Sequence, residues 1–218
     1  CWDRVSDYFD IETTGLPHWA PFEIREEDLN LLGDVQGKTF LELACGSGRS
    51  VEYLINKGAQ KVYAADISQE QINKSEKRNR QAIDNKKVEL FCSPMEEKLE
   101  IEKVDYVISI FGIGWTLDIP KAFSYIKSYL KRDGKFIWSW EHPIYSNFEP
   151  GETMSDVRLK RSYFDNNPRI LNDFMGEKGV QCHIPYHTVS EWFQELNKAG
   201  FKVNQIIEPP PTKLPEGT

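Results

Sequence analysis

The segment Leu41-Glu42-Leu43-Ala44-Cys45-Gly46-Ser47-Gly48-Arg49-Ser50 limits what this chain can fold into more than any other. The run from Lys38 to Cys45 reads as a buried strand that passes straight into two glycines. Val51, Leu54 and Ile55 then recur at helical spacing. Glycines at a strand-to-helix junction strip the turn of side chains, so a ligand can approach the backbone. The helix N-terminus behind them offers unpaired N–H groups. Asp66 closes the next apolar run, Lys61 to Asp66, twenty positions after Gly46. A carboxylate there can accept hydrogen bonds from both hydroxyls of a ribose, so the pair of features marks an adenosine-type cofactor.

The alternation continues along the chain. Ser68 with Gln71 has capping-box spacing and opens a charged helix to about Asn85. Lys87 to Cys92 is a third strand and Val104 to Phe111 a fourth. Pro120 starts a helix with Phe123, Ile126 and Leu130 on its core face, and Lys135 to Trp140 is a fifth strand. Thr188 and Glu191 box the start of a last helix that buries Val189, Trp192, Phe193 and Leu196. Phe201 to Ile207 reads as a final strand. Such alternation predicts an α/β fold, doubly wound, with a mainly parallel sheet and helices on both faces.

Two segments stand outside the pattern. One is the aromatic stretch from Trp2 to Phe22, with Tyr8, Phe9 and Trp19 between them, read as a strap over the sheet edge or a lid. The other, His142 to Tyr186, has the length of a binding elaboration. The expected organisation is one domain: a cap over 1–37, a cofactor-binding core over 38–141, a substrate-side insertion over 142–186, and a helix, strand and tail over 187–218.

Charge argues about partners. Lys and Arg number 27 and Asp and Glu 34, a net charge of −7. That balance speaks against a nucleic-acid backbone as main partner. The densest basic run, Lys74, Lys77, Arg78 and Arg80, is broken by Glu70, Glu76 and Asp84 and reads as a solvated helix face. Cys1, Cys45, Cys92 and Cys182 form no Cys-x-x-Cys pair. They read as reduced thiols of a cytoplasmic protein, with Cys45 and Cys92 as small core residues. No apolar stretch reaches membrane-spanning length, so no membrane partner is expected.

The identity of the cofactor follows from what surrounds the glycines. A dinucleotide fingerprint wants a third glycine where Val51 stands. Glu42 would repel a pyrophosphate, yet it suits a ligand carrying an ammonium and a sulfonium. No Gly-Lys-Ser/Thr follows to make a phosphate loop. Glu42-x-Ala44-x-Gly46-x-Gly48 resembles the first motif of class I S-adenosylmethionine-dependent methyltransferases, an acid followed by three alternate glycines, with Ala44 in place of the first. Asp105 to Phe111 looks like that family's fourth strand. Leu130-Lys131-Arg132-Asp133-Gly134-Lys135 resembles its turn before the fifth.

The resemblance implies a Rossmann-like sheet of the seven-stranded type and methyl transfer from S-adenosylmethionine to a small molecule, leaving S-adenosylhomocysteine. It implies that Glu42, Ala44, Gly46 and Gly48 line the cofactor, that Asp66 holds the ribose and that Ile67 packs on the adenine. Ser93, Pro94 and Met95 stand where the family has its adenine loop. Pro94 replaces a frequent acid, which leaves the adenine amino group to backbone atoms or Glu96. Ile110 and Phe111 end the fourth strand beside the same cofactor. Two rival readings share the fold: a nicotinamide-dependent oxidoreductase and a non-catalytic S-adenosylmethionine-binding module.

A base is needed only for an oxygen or carbon nucleophile. His142, just after the fifth strand, is the first candidate, with His187 and Tyr186 behind it. His183 and His187 have metal-pair spacing, but Pro185 intervenes and no third ligand follows, so no metal is expected. Trp115 is a candidate pocket wall, Trp138 and Trp140 read as core residues, and Asp105 reads as structural.

Overall fold

The structure is a computed structural model that describes residues 2–9, 17–20, 24–150 and 157–210. Its centre is a sheet of five strands: β1 (Thr39–Leu43), β2 (Lys61–Asp66), β3 (Val88–Cys92), β4 (Val104–Ile110) and β5 (Leu130–Ser139). Their order is β3-β2-β1-β4-β5 and every neighbouring pair is parallel. Successive residues of a strand point to opposite faces. Phe40 therefore joins Val62, Ala64 and Ile108 in one core, while Leu41 and Leu43 join Val107 in the other. A parallel strand covered on both faces has no polar side, which is why β1 and β2 read as almost unbroken apolar runs.

Helices cover both faces. Helix α1 (Arg49–Asn56) buries Val51 and Leu54, and α2 (Gln69–Arg78) buries Ile72, both against the Phe40 face. Helix α4 (Ile119–Tyr129) buries Ala122, Phe123 and Ile126, and α5 (Val189–Lys198) buries Trp192 and Leu196. Phe123, Ile126, Trp192 and Leu196 all join the Leu41 face. Burying side chains of this size contributes about 1.5–3 kcal/mol each. The expected starts hold. Ser68 accepts from the Gln71 N–H, Asp118 caps the helix that carries Pro120, and Thr188 and Glu191 form a reciprocal box.

Several expectations need correction. Phe193, expected on the buried face of the last helix, is 43 % exposed, and Leu130 to Lys135, expected as the end of a helix face and a turn, belong to β5. The sheet has five strands among the described residues, and 201–207 forms no strand. Phe201 and Val203 pack their side chains on the core, but the Phe201 N–H closes back on Leu196, so the backbone leaves the helix without pairing along β5. The long charged helix breaks at Asn79 into α2 and a short α3 (Arg80–Asp84). Cys92 is exposed rather than a core residue, although Cys45 is buried. Trp19 belongs to the core on the Phe40 face, where its indole donates to the buried Glu26 at 2.7 Å. Phe22 and the tail from 211 lie outside the described residues.

The basic run of α2 and α3 is a paired surface. Lys74 meets Asp7, Arg78 meets Glu52, and Arg80 meets Glu76 and Asp84. The insertion carries a short hairpin, β6 (Arg169–Leu171) with β7 (Cys182–Ile184). No helix among the described residues is long and apolar enough to cross a membrane.

Asp105 staples the amino ends of β1 and β4. Its carboxylate accepts from the Thr39 N–H and hydroxyl, both at 2.8 Å, and from Lys131 at 2.9 Å. Burial pushes its carboxyl up, but Lys131 and Thr39 outweigh that and bring it to about 2. A carboxyl held below its ordinary 3.8 stabilises the fold above that pH, and this is lost as pH falls toward about 2. We expect Asp105→Asn to lower stability by roughly 1–3 kcal/mol at neutral pH. The difference from the wild type should shrink as pH falls through that window, as measured by urea unfolding across pH.

Candidate functional site

Because all five strands run parallel, their carboxyl ends share one edge, and the loops leaving them converge there. The β1 loop is the most constrained. Ala44 has φ +58°, Gly46 +53° and Gly48 +75°. Left-handed backbone at three alternate positions explains why glycine suits them, and Ala44 bears the strain of keeping a side chain there.

The two glycines have different surroundings. A Cβ on Gly48 would meet Ser75 Oγ at 2.1 Å and Asn79 Nδ2 at 2.6 Å, so this glycine lets α2 close on the turn. Asn79 donates to the Gly48 carbonyl at 3.1 Å and Arg78 to the Ser47 carbonyl at 3.0 Å. The helix break at Asn79 thus supplies a clamp that sequence reading missed. A Cβ on Gly46 would meet nothing within 4 Å. Gly46 is the bare, open member of the pair.

Two acids stand beneath this loop. Asp66 is 9 % exposed, and its oxygens accept from the Gly46 N–H at 2.8 Å and the Ser68 N–H at 2.9 Å. Each oxygen keeps a second lone pair for a further donor. Burial raises its carboxyl, against those two backbone bonds. Glu42 is 3 % exposed, and its Oε2 has no hydrogen-bond partner among the described residues. Burial pushes it up to about 8; Ser50 opposes this by a hydrogen bond and the nearby Asp66 adds to it. A buried carboxyl with an idle oxygen, below an open glycine, suits a cationic ligand.

The remaining positions line the same edge. Ile67 is 54 % exposed at the end of β2, free to cover a flat ring. Ser93, Pro94 and Met95 leave β3, with the Ser93 N–H held by the Asp66 carbonyl at 2.9 Å. Glu96 is committed elsewhere: one oxygen accepts from the Thr116 hydroxyl and the Leu117 N–H, tying the β3 loop to the β4 loop. Ile110 ends β4, and Phe111, with φ +50°, turns the chain toward Trp115, whose indole donates to the Phe111 carbonyl at 3.1 Å.

Both outlying segments reach this edge. Asp3 accepts from the Ser68 hydroxyl at 2.6 Å and from the Glu70 N–H, and the Gln71 side chain donates to the Ser6 carbonyl. Trp2 packs on Trp115 and Phe174 at centroid distances of 4.7 and 5.6 Å. Arg4 donates to the Lys178 carbonyl. The N-terminal segment and the insertion therefore meet over the β4 loop, a contact that no local pattern in the chain announces.

The histidines separate. His142 Nδ1 accepts from the Ile144 N–H at 3.2 Å and its Nε2 meets Glu208 at 3.2 Å, so both nitrogens are engaged. His183 is exposed on β7 beside Gln181. His187 packs on Trp192, and burial lowers its basicity, holding it neutral. With Trp140, Glu141, Pro143, Arg169, Ile184 and Tyr186 it lines a narrow cleft just beyond β5. Tyr186 is fixed by Asn147, which donates to its hydroxyl at 2.8 Å, and donates in turn to the Tyr163 carbonyl. Trp138 and Trp140 both pack against the Leu41 core, Trp138 beside Trp192 and Trp140 also beside Trp115 and Phe111.

Residues 41–138 match a family model described as a methyltransferase domain. An S-adenosylmethionine-dependent methyltransferase from Listeria monocytogenes superposes with a TM-score of 0.73 and 26 % identity, covering 86 % of this chain and 87 % of that one. An uncharacterized protein of Haemophilus influenzae is 28 % identical over 187 residues, 83 % of this chain and 74 % of its own. The human mitochondrial arginine-hydroxylase NDUFAF5 is 27 % identical over 162 residues, 74 % of this chain; the match spans only 41 % of that relative.

Two predictions follow from the loop. Gly46→Ala should leave unfolding nearly unchanged, apart from about 1 kcal/mol of left-handed strain, while weakening S-adenosylhomocysteine binding in calorimetry. Gly48→Ala should instead lower the melting temperature, because its Cβ collides with Ser75 and Asn79. For Glu42, a carboxyl raised from 4.5 to about 8 makes folding less favourable as pH rises between those values. Glu42→Gln should match the wild type below about pH 4.5 and melt progressively higher than it up to about pH 8, while losing affinity for S-adenosylhomocysteine.

Proposed function

We propose that this chain is a class I S-adenosylmethionine-dependent methyltransferase and that it transfers a methyl group to a small molecule seated beyond the ends of β4 and β5, beneath the insertion 142–186. The observation that carries the reading is the pairing of the open Gly46 with the idle oxygen of buried Glu42. S-adenosylmethionine supplies an electrophilic methyl on a sulfonium. Glu42 balances positive charge near the turn, Gly46 admits the ligand to the backbone, and Asp66 offers its spare lone pairs to the ribose. Ile67 covers the adenine. Backbone atoms of Ser93 to Met95 meet its edge, because Glu96 is engaged by Thr116 and Leu117.

The protein's remaining task is alignment and exclusion of water. Trp2, Trp115 and Phe174 form an apolar roof over the β4 loop, which serves exclusion. Where the nucleophile sheds a proton, His187 is better disposed than His142 to receive it: it lines the cleft in neutral form, whereas both His142 nitrogens are engaged.

Incubation with methyl-deuterated S-adenosylmethionine and a fractionated metabolite extract tests this. We expect a small molecule that gains the labelled methyl, with S-adenosylhomocysteine formed in equal amount. A product that gains an oxygen atom instead would assign the chain the kind of chemistry named for the human relative. Cofactor binding with no product from any fraction would leave it a binding module.

A further inference from the structure

Ser68 stands where the cofactor edge meets the N-terminal segment. It is 1 % exposed. Its N–H donates to Asp66 Oδ1 at 2.9 Å, while its hydroxyl accepts from the Gln71 N–H at 3.3 Å and donates to Asp3 Oδ1 at 2.6 Å. The last distance is that of a bond between a hydroxyl and an ionised carboxylate. The same Asp3 oxygen accepts from the Glu70 N–H at 3.2 Å. These two bonds hold the Asp3 carboxyl below its ordinary 3.8, so it stays charged. N–H groups of a first helical turn have no partner inside the helix, and the positive end of its dipole lies there. Helix α2 thus takes its cap from two residues: Ser68 and, 65 positions earlier, Asp3. Asp3 itself lies at the surface, but the hydroxyl it holds is buried.

Neighbours along the chain bring Asp3 to this spot. Trp2 packs on Trp115 at a centroid distance of 4.7 Å, and Val5, 2 % exposed, joins a cluster with Phe174, Val180 and Cys182. The Gln71 side chain donates to the Ser6 carbonyl at 3.1 Å, and Lys74 meets Asp7 at 2.6 Å. In the sheet, β1 lies between β2 and β4. Trp2 on the β4 loop and Asp3 on the start of α2, just past β2, tie together the two loops that flank the Gly46 turn.

We propose that Asp3 is a positioning residue for the cofactor: by holding Ser68 in place it sets the direction in which Asp66 presents its spare lone pairs to the ribose; this rests on the methyltransferase reading above. Asp66 Oδ1 points where the Ser68 N–H holds it, and Oδ2 where the Gly46 N–H does. Two vicinal hydroxyls can both donate to one carboxylate only when its plane is fixed to suit them. Without Asp3, Ser68 keeps its bond to Gln71, but its hydroxyl hydrogen loses its partner and the Glu70 N–H loses its acceptor. The Ser68 backbone is then held less firmly, and Asp66 Oδ1 with it. Charge does not account for this role. Burial raises the Asp66 carboxyl and the Asp3 charge adds to that, so by charge alone Asp3 works against an ionised Asp66. What Asp3 supplies is placement, and placement needs only an acceptor oxygen at the Oδ1 position.

The test titrates the full chain by calorimetry with S-adenosylhomocysteine and with its 2′,3′-dideoxy analogue. The ratio of the two affinities reads what the ribose hydroxyls contribute. The wild type should prefer the hydroxylated ligand by roughly tenfold or more, the scale of a hydrogen bond to a charged group. Asp3→Ala should lower that ratio by about threefold or more. Asp3→Asn, which keeps the acceptor oxygen without the charge, should restore it. Asp66→Ala should abolish the preference, and adding Asp3→Ala to it should change the ratio no further. Ser68→Ala removes the donor to Asp3 but keeps the N–H that holds Asp66, and should lower the ratio as Asp3→Ala does; it decides the matter if Asp3→Ala does not fold. An Asp3→Ala ratio equal to that of the wild type, even with both affinities reduced, overturns the proposal and leaves Asp3 an anchor of the N-terminal segment. Failure of Asp3→Asn to restore the ratio overturns it as well. A wild type that binds S-adenosylhomocysteine with no preference for the hydroxyls overturns it while the methyltransferase reading stands. If the wild type does not bind S-adenosylhomocysteine, both readings fall together.

Discussion

Asp66 is the point through which the cofactor edge is organised. One of its oxygens holds the Gly46 N–H and the other the Ser68 N–H. The first bond fixes the β1 turn against the end of β2, and the second sets the start of α2. Ser68 then passes the constraint outward, since its hydroxyl both accepts from the Gln71 N–H and donates to Asp3. One buried carboxylate thus registers two loops, one helix start and the N-terminal segment. Its second lone pairs remain for a ligand, so the group that shapes the site is also able to bind in it. Loss of Asp66 would disturb the turn geometry as well as any ribose contact, and the two effects share a single cause.

Glu42 plays the opposite part. It contributes no comparable staple, and its burial is unfavourable to the empty fold, as its upward-shifted carboxyl shows. A chain optimised only for stability would place an amide or an apolar group there. The strain at Ala44 belongs to the same trade, for it keeps a side chain in left-handed backbone within the same loop. Both features concentrate unfavourable terms where a cationic ligand would relieve one of them.

Much of this was legible in the chain. The alternating apolar runs named all five central strands, and the caps at Ser68 and Thr188 act locally, within one turn of helix, so their spacing suffices to read them, as Pro120 sufficed for the helix that Asp118 caps. The glycine turn and Asp66 were legible because their roles are set by backbone geometry at strand ends. Illegible were the features set by distant contacts. The break at Asn79 answers to the Gly48 carbonyl, Asp3 answers to Ser68, and Trp19 packs in the Phe40 core while Trp2 joins a separate cluster with Phe174. Phe201 to Ile207 has a strand's alternation but finds no ladder, because pairing requires a partner that periodicity alone cannot supply. His142 was favoured for its place in the order of elements; only its partners, Ile144 and Glu208, reveal that its nitrogens are engaged, whereas Glu141 beside it faces Arg169.

The contact of Arg4 with the Lys178 carbonyl joins nearly opposite ends of the described chain. On the ribosome, the segment around Arg4 emerges before the insertion and cannot seat against it until that later hairpin has been made. The glycine turn, Asp66 and α2 are all synthesised in between. A nascent chain therefore carries the residues of its cofactor edge before those of the roof. Loop closure over so long a separation adds little to the entropic penalty for each further residue, so a contact between such distant segments need not be weak.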